Sequence, residues 1–203
     1  MLVSCPLVCP VEKLVTELKK HHVIPRLLAC KPTKVISVLY PCDIDIKPGI
    51  MIVINETLKQ PIIRFKADPE HFHTLMMVDL DVPPDNHTEW LIWLVGNIPG
   101  CDVAMGQTLV AYDNRRTIHG SNVHRIVFLA FKQYLELDFD ETFVPEGEEK
   151  GRATFNCHNF ARKYALGNPM AANFYLVEWL WRWTPTFLVS EHEFEHLNQN
   201  ENE

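Results

Sequence analysis

Ionisable side chains set into apolar runs are the residues of this chain best placed to do chemistry. Asp79 and Asp81 lie in LMMVDLDVP, and His124 and Arg125 open HRIVFLAFKQ. Charged groups in strands this apolar need partners, because unpaired burial is costly. They either pair with one another as a structural network or line a polar pocket at the end of a sheet. In a pocket, an imidazole or guanidinium binds an anionic oxygen, and a nearby carboxylate tunes the charge on it. Using Asp79, Asp81 and His124 as acid and base would also need a held water or a nucleophile. No nucleophile with its own base and oxyanion hole stands out in the sequence. Two other groupings are weaker. DPEHFH (Asp68 to His73) and the His192/His196 pair lack the third ligand or the motif order that a metal site requires.

Three apolar runs must position these groups: His73 to Pro83, Trp90 to Pro99 and His124 to Gln133. Their length, and the Pro, Gly, Asn and Asp that bound them, predict buried strands. Alternation of side chains along a strand predicts that Asp79 and Asp81 share one face. Pro83 and Pro84 force an extended exit from the first run. Upstream, VISVLY, IMIVIN and PIIRFKA predict further strands, with Pro61 marking a strand start or a sheet edge. Residues 10–22 (PVEKLVTELKKHH) predict a helix with Pro10 in its first turn, Leu14, Val15 and Leu18 on one face, and basic residues at its end. Asn156 to Leu166 predicts a second helix, stopped by Gly167 and Pro169. FYLVEWLWRW continues as a strand or a helix. The acidic stretch 134–151 predicts a solvated loop without calcium-loop spacing.

At 203 residues, 47% hydrophobic and 22% charged, the chain fits one soluble domain with a substantial core. A net charge of −7 argues against nucleic acid as a partner. No apolar run is long enough to span a membrane, and MLVSCPLVCP lacks the basic start of a secretory signal. The six cysteines form no CxxC pairs, which predicts buried free thiols in a reducing compartment and hence a cytoplasmic protein. Asn55-Glu-Thr57 and Asn86-His-Thr88 match glycosylation sequons, which have no meaning in the cytosol.

The order of segments resembles a known family. DLDVP (Asp79 to Pro83), EWLIWLVGNIPG (Glu89 to Gly100), GSNVHR (Gly120 to Arg125) and FARKYALGNPMAANFYLVEW (Phe160 to Trp179) are similar to the signature segments of the phosphatidylethanolamine-binding proteins, in the same order. The resemblance covers roughly Val35 to Trp183. It implies a mainly β domain, an antiparallel β-sandwich with peripheral N- and C-terminal helices. We divide the chain into an N-terminal helical segment at 1–34, that domain at 35–187 and an acidic tail at 188–203.

By the same resemblance, Asp79, Pro83, Trp90, Tyr112, Gly120 and His124 line a small anion pocket, with Asp81 and Arg125 as structural support. The chain departs from the pattern where it matters. Leu80 replaces a Pro, Ile92 replaces the pocket His, Arg116 and Thr117 fall in a stretch where Gly and Pro are usual, and Arg182 replaces a pocket Tyr. Arg115, Arg116 and His119 could restore positive charge, since Arg forks well onto phosphate. The expected function is therefore non-enzymatic binding of a phospholipid headgroup or another phosphorylated ligand, without a cofactor, metal or transmembrane segment. Regulation of a kinase or protease by protein binding follows by family analogy alone. The alternative is a scaffold whose pocket has decayed, similar to the related domain of a mitochondrial ribosomal protein.

Overall fold

The computed structural model describes residues 10–82, 88–114, 123–153 and 155–178. Helix α1 (Val11–Lys20) starts at Pro10, carries Glu12 in its first turn and Lys19 and Lys20 in its last, and buries Leu14 and Leu18. Those charges complement the helix dipole, and the two leucines fall on one side at i, i+4 spacing. A short turn, α2 (Val23–Arg26), follows.

The strands are β1 (Lys34–Val35), β2 (Ser37–Tyr40), β3 (Ile44–Asp45), β4 (Ile50–Val53), β5 (Ile62–Arg64), β6 (Phe72–Asp79), β7 (Trp90–Pro99), β8 (Gln107–Val110), β9 (Val123–Gln133) and β10 (Ala171–Glu178). Helix α3 (Cys157–Lys163) is capped by the Asn156 side chain, which accepts from the Asn159 N–H at 2.8 Å. FYLVEWLWRW, open between strand and helix in the sequence, is strand as far as Glu178.

Among the described residues, β1 to β10 form two sheets. The central one runs β1-β10-β9-β6-β7-β8, with β4 also paired to β10, and the smaller runs β3-β2-β5. The fold is the expected mainly β sandwich, with two differences. The central sheet is mixed, because β1 and β4 both run parallel to β10. Parallel neighbours need long connections, and here more than half of the chain lies between the partners. A second difference is that VISVLY is not one strand. β1 belongs to the central sheet and β2 to the small one, and the chain crosses between them at buried Ile36.

Each face of the central sheet covers a core. Leu75, Met77, Ile126, Phe128 and Tyr175 point towards the small sheet. Met76, Val78, Val127, Leu129 and Phe174 point the other way and pack with Leu14, Leu18 and Phe160 from the helices. The acids of 136–149 are exposed, as a solvated loop requires, but the stretch also sends Phe139 and Val144 into the helix-side core. Gly96 makes room for the Phe139 ring, since a Cβ there would lie 2.2 Å from it.

Arg152 has no counterpart in the sequence expectations. It is buried and donates to the carbonyls of Leu91, Ile92, Ala111, Pro145 and Glu148 at 2.7–3.2 Å, pinning the loop to the strands.

Candidate functional site

The site forms where β6 ends and β9 begins. Asp79 is the last residue of β6 and faces Trp90 of β7 and Ile126 of β9 across the ladders. Alternation directs Asp79 and His124 to the inter-sheet face, alongside Met77 and Ile126. There His124 Nδ1 and Asp79 Oδ2 are 2.8 Å apart, with Asp79 fully buried and His124 nearly so. Burial works to lower the His124 pKa, but the hydrogen bond and charge of Asp79 outweigh it and raise the value. Burial raises the Asp79 pKa despite the opposing pull of His124. Both shifts favour a pair that holds one proton between its members.

Asp81 does not share that face, contrary to the alternation expected from the sequence. The ladder ends at Asp79, whose Oδ1 accepts the Asp81 N–H at 2.8 Å. This side-chain turn rotates the chain. Asp81 therefore lies on the helix side, where it accepts from the N–H and Nε of Arg125 at 2.9 Å each, and also from its Nη2. Arg26 Nη1 adds a contact at 3.2 Å, and Arg125 Nη1 donates to the His21 carbonyl at 2.9 Å. Burial alone would raise the Asp81 pKa, but Arg125 and Arg26 hold it below the ordinary carboxylate value. Asp81 and Arg125 thus form an ion pair, and the pair ties both strand ends to the N-terminal helices.

Trp90 is buried at the start of β7, and its indole Nε1 has no acceptor among the described residues. Ile92 is fully buried in the inter-sheet core. Tyr112 is buried beside Trp93, with ring centroids 5.7 Å apart in an edge-on contact. Its hydroxyl donates to the Thr57 carbonyl and lies 3.2 Å from the Tyr40 hydroxyl, which in turn lies 3.3 Å from that of Tyr175. Asn114 closes this cluster with bonds to Tyr175 Oη at 3.0 Å and Thr57 Oγ1 at 2.8 Å. Burial pushes Tyr175 up to about 12, and the Asp79 charge adds to the rise.

Sequence reasoning missed Tyr40, Thr57, Asn114 and Tyr175. A Tyr within an apolar strand was the one available signal, since its hydroxyl needs a partner when buried. Pro83, Arg115, Arg116, His119, Gly120 and Arg182 lie outside the described residues, so the proposed replacement cations are not placed.

The expectation of buried thiols holds for Cys157, whereas Cys30, Cys42 and Cys101 are exposed. His71 Nδ1 pairs with Asp68 at 2.8 Å, while His73 turns into the interior against Phe65. Among the described residues no cluster of His, Cys, Asp and Glu suits a metal. No helix among them is long and apolar enough to cross a membrane.

No family model matches the chain. Individual relatives do. A Drosophila melanogaster protein that carries the name odorant-binding protein A5 is 33% identical over 165 residues, covering 80% of this chain and 79% of the relative. The 26 kDa secreted antigen of Toxocara canis is 30% identical over 159 residues, covering 75% of this chain and 60% of the antigen. The solved structure of the phosphatidylethanolamine-binding protein from Plasmodium vivax matches with a TM-score of 0.64 at 20% identity, covering 84% of this chain and 98% of that one. The chain belongs to the phosphatidylethanolamine-binding protein family. A carboxypeptidase Y inhibitor, solved in complex with its cognate proteinase, shares this fold with a TM-score of 0.69 at 19% identity, covering 88% of this chain and 99% of the inhibitor. This member of the family keeps an acid and a His at the strand ends, and carries Ile92 where the resemblance places a second His.

Proposed function

We propose that this chain is a non-enzymatic binding protein whose pocket, at the Asp79–His124 end of the central sheet, takes a small anionic group such as a phosphorylated headgroup. The observation that carries this reading is the buried His124–Asp79 pair. A carboxylate behind an imidazole keeps it protonated and oriented, so an anion meets a fixed positive donor. The Trp90 N–H, without an acceptor among the described residues, adds a neutral donor to the same site. Regulation by docking onto a protein such as a protease or kinase belongs to the same reading, and the inhibitor–proteinase complex on this fold supports its protease form. Cytoplasmic residence is favoured by the free thiols, whereas the secreted relative favours export. Glycosylation at exposed Asn55 in cells would establish export.

The test is a calorimetric or NMR titration of the full chain with phosphoethanolamine and with phosphotyrosine, beside Asp79→Ala and His124→Gln. Saturable binding that both substitutions weaken is the expected result. Full burial of Ile92 favours a second reading, a scaffold without a ligand. Failure of both compounds to bind at millimolar concentration would establish that reading instead.

A further inference from the structure

On the helix side of the central sheet, away from the Asp79–His124 pair, lies a half-open cavity of about 540 Å³. That volume is within the range of small-molecule sites. Its floor is Leu91 and Leu94 of β7 with Val110 of β8, and Phe155 and Phe160 form one aromatic wall. The opposite wall is the segment around Val144, which bonds as a short parallel bridge to β8 through Val144 N–H to Leu109 O at 3.0 Å and Ala111 N–H to Val144 O at 2.9 Å. Arg152 fixes the rest of that wall through the carbonyls of Pro145 and Glu148, so the cavity is built before any ligand arrives.

The rim gives the ligand its polarity. Glu141 and Glu148 stand at the mouth with Lys150, on a stretch whose remaining charges are acidic. Glu141 is already held by Lys163 Nζ at 2.7 Å and Tyr164 Oη at 2.8 Å. Glu148 uses Oε1 to accept the Lys150 N–H at 2.9 Å and is exposed. The segment 141–150 around the mouth carries Glu141, Glu146, Glu148 and Glu149 against Lys150 and the neighbouring Lys163, so an apolar, aromatic interior there suits a flat apolar body with a cationic head over one with a carboxylate.

We propose that this cavity is a second binding site, for small aromatic amines, with Phe155 and Phe160 against the ring and Glu148 beside the ammonium. Its charge preference is opposite to that of the anion pocket on the other face. The proposal does not depend on that pocket binding anything.

The experiment is an amide-resolved NMR titration of the full chain with tryptamine and with indole-3-acetate, which share a ring system and differ in charge. Tryptamine should shift Leu91, Leu94, Val110 and Phe155 saturably, with affinity about tenfold above that of the acid, the scale of a few exposed charge contacts. Glu148→Gln keeps the acceptor for the Lys150 N–H and should reduce that preference about fivefold. Thr142→Trp, at an exposed position on the rim, should block both compounds while leaving the spectrum of a folded protein. Equal affinity for the two indoles, shifts centred on His124, or no saturation by either at millimolar concentration would overturn the assignment.

Discussion

His73 shows how one buried side chain sets a pH response. It is fully buried against Phe65, with ring centroids 5.4 Å apart, and neither ring nitrogen has a hydrogen-bond partner among the described residues. Burial lowers its pKa, and the positive charges of Lys34 and Lys132 lower it further. The folded chain therefore holds fewer protons at this ring than the unfolded chain does. Its stability should fall as the pH drops below about 6.5, the ordinary histidine value. Urea denaturation at pH 7.5 and pH 5.5 should show the His73 contribution as a difference, with the wild-type chain losing more stability on acidification than His73→Gln.

His124 has the opposite sign. Its raised pKa contributes stability in full below the ordinary value, and that contribution is lost as the pH rises through the folded one. Anion binding should weaken over the same rise, which a titration of phosphoethanolamine from pH 6 to pH 9 would detect. Neither pH response could be read from the local sequence. His73 and His124 sit in similar apolar runs, and only the fold shows that one meets a carboxylate and the other a phenyl ring.

Among elements, the three apolar runs were legible because strands buried on both faces leave nearly unbroken hydrophobic sequence. The split of VISVLY at Ile36 was not, because the same alternation of buried side chains serves either sheet. Asp81 was placed on the wrong face because periodicity says nothing of a side chain that caps the turn after its own strand. The result is a joint between elements, with β6, β9, α1 and α2 meeting through Asp81, Arg125, Arg26 and the His21 carbonyl. Asp81→Ala would leave two largely buried guanidinium groups without their carboxylate. It should cost about 2–3 kcal/mol in chemical denaturation. Leu18→Ala on α1 acts on the same side of the sheet through packing and should cost about 2–5 kcal/mol. A double mutant that shows less than the summed loss would indicate that the joint and the helix act as one unit.

For the whole molecule, the resemblance in the sequence conveyed the sandwich, but neither the hydrogen bond between Asp79 and His124 nor the two-sided character of the central sheet. Tyr40 and Tyr175 lie 135 residues apart, and their hydroxyls meet only after both sheets have closed. Arg152 directly follows the acidic stretch 134–151 that reads as solvent-facing, yet it bonds to strand carbonyls far from it in sequence. Long-range pairings of this kind follow from topology, which local pattern does not encode.

The position of β10 between the early strands β1 and β4 and the late strand β9 also orders events in time. β1 and β4 are made early and find their ladder partner in a strand made near the other end of the chain. A chain still lacking 171–178 thus has two early strands with open edges and a β9 with one side unpaired. Such edges recruit other chains. A growing chain of this protein is exposed to misassociation until β10 emerges, and late pairing of this sort slows folding. Truncation before Ala171 should therefore give an aggregating product rather than a smaller folded one. Sedimentation of the truncated chain beside the full one would measure this. β1 and β4 settle only once β10 has been made.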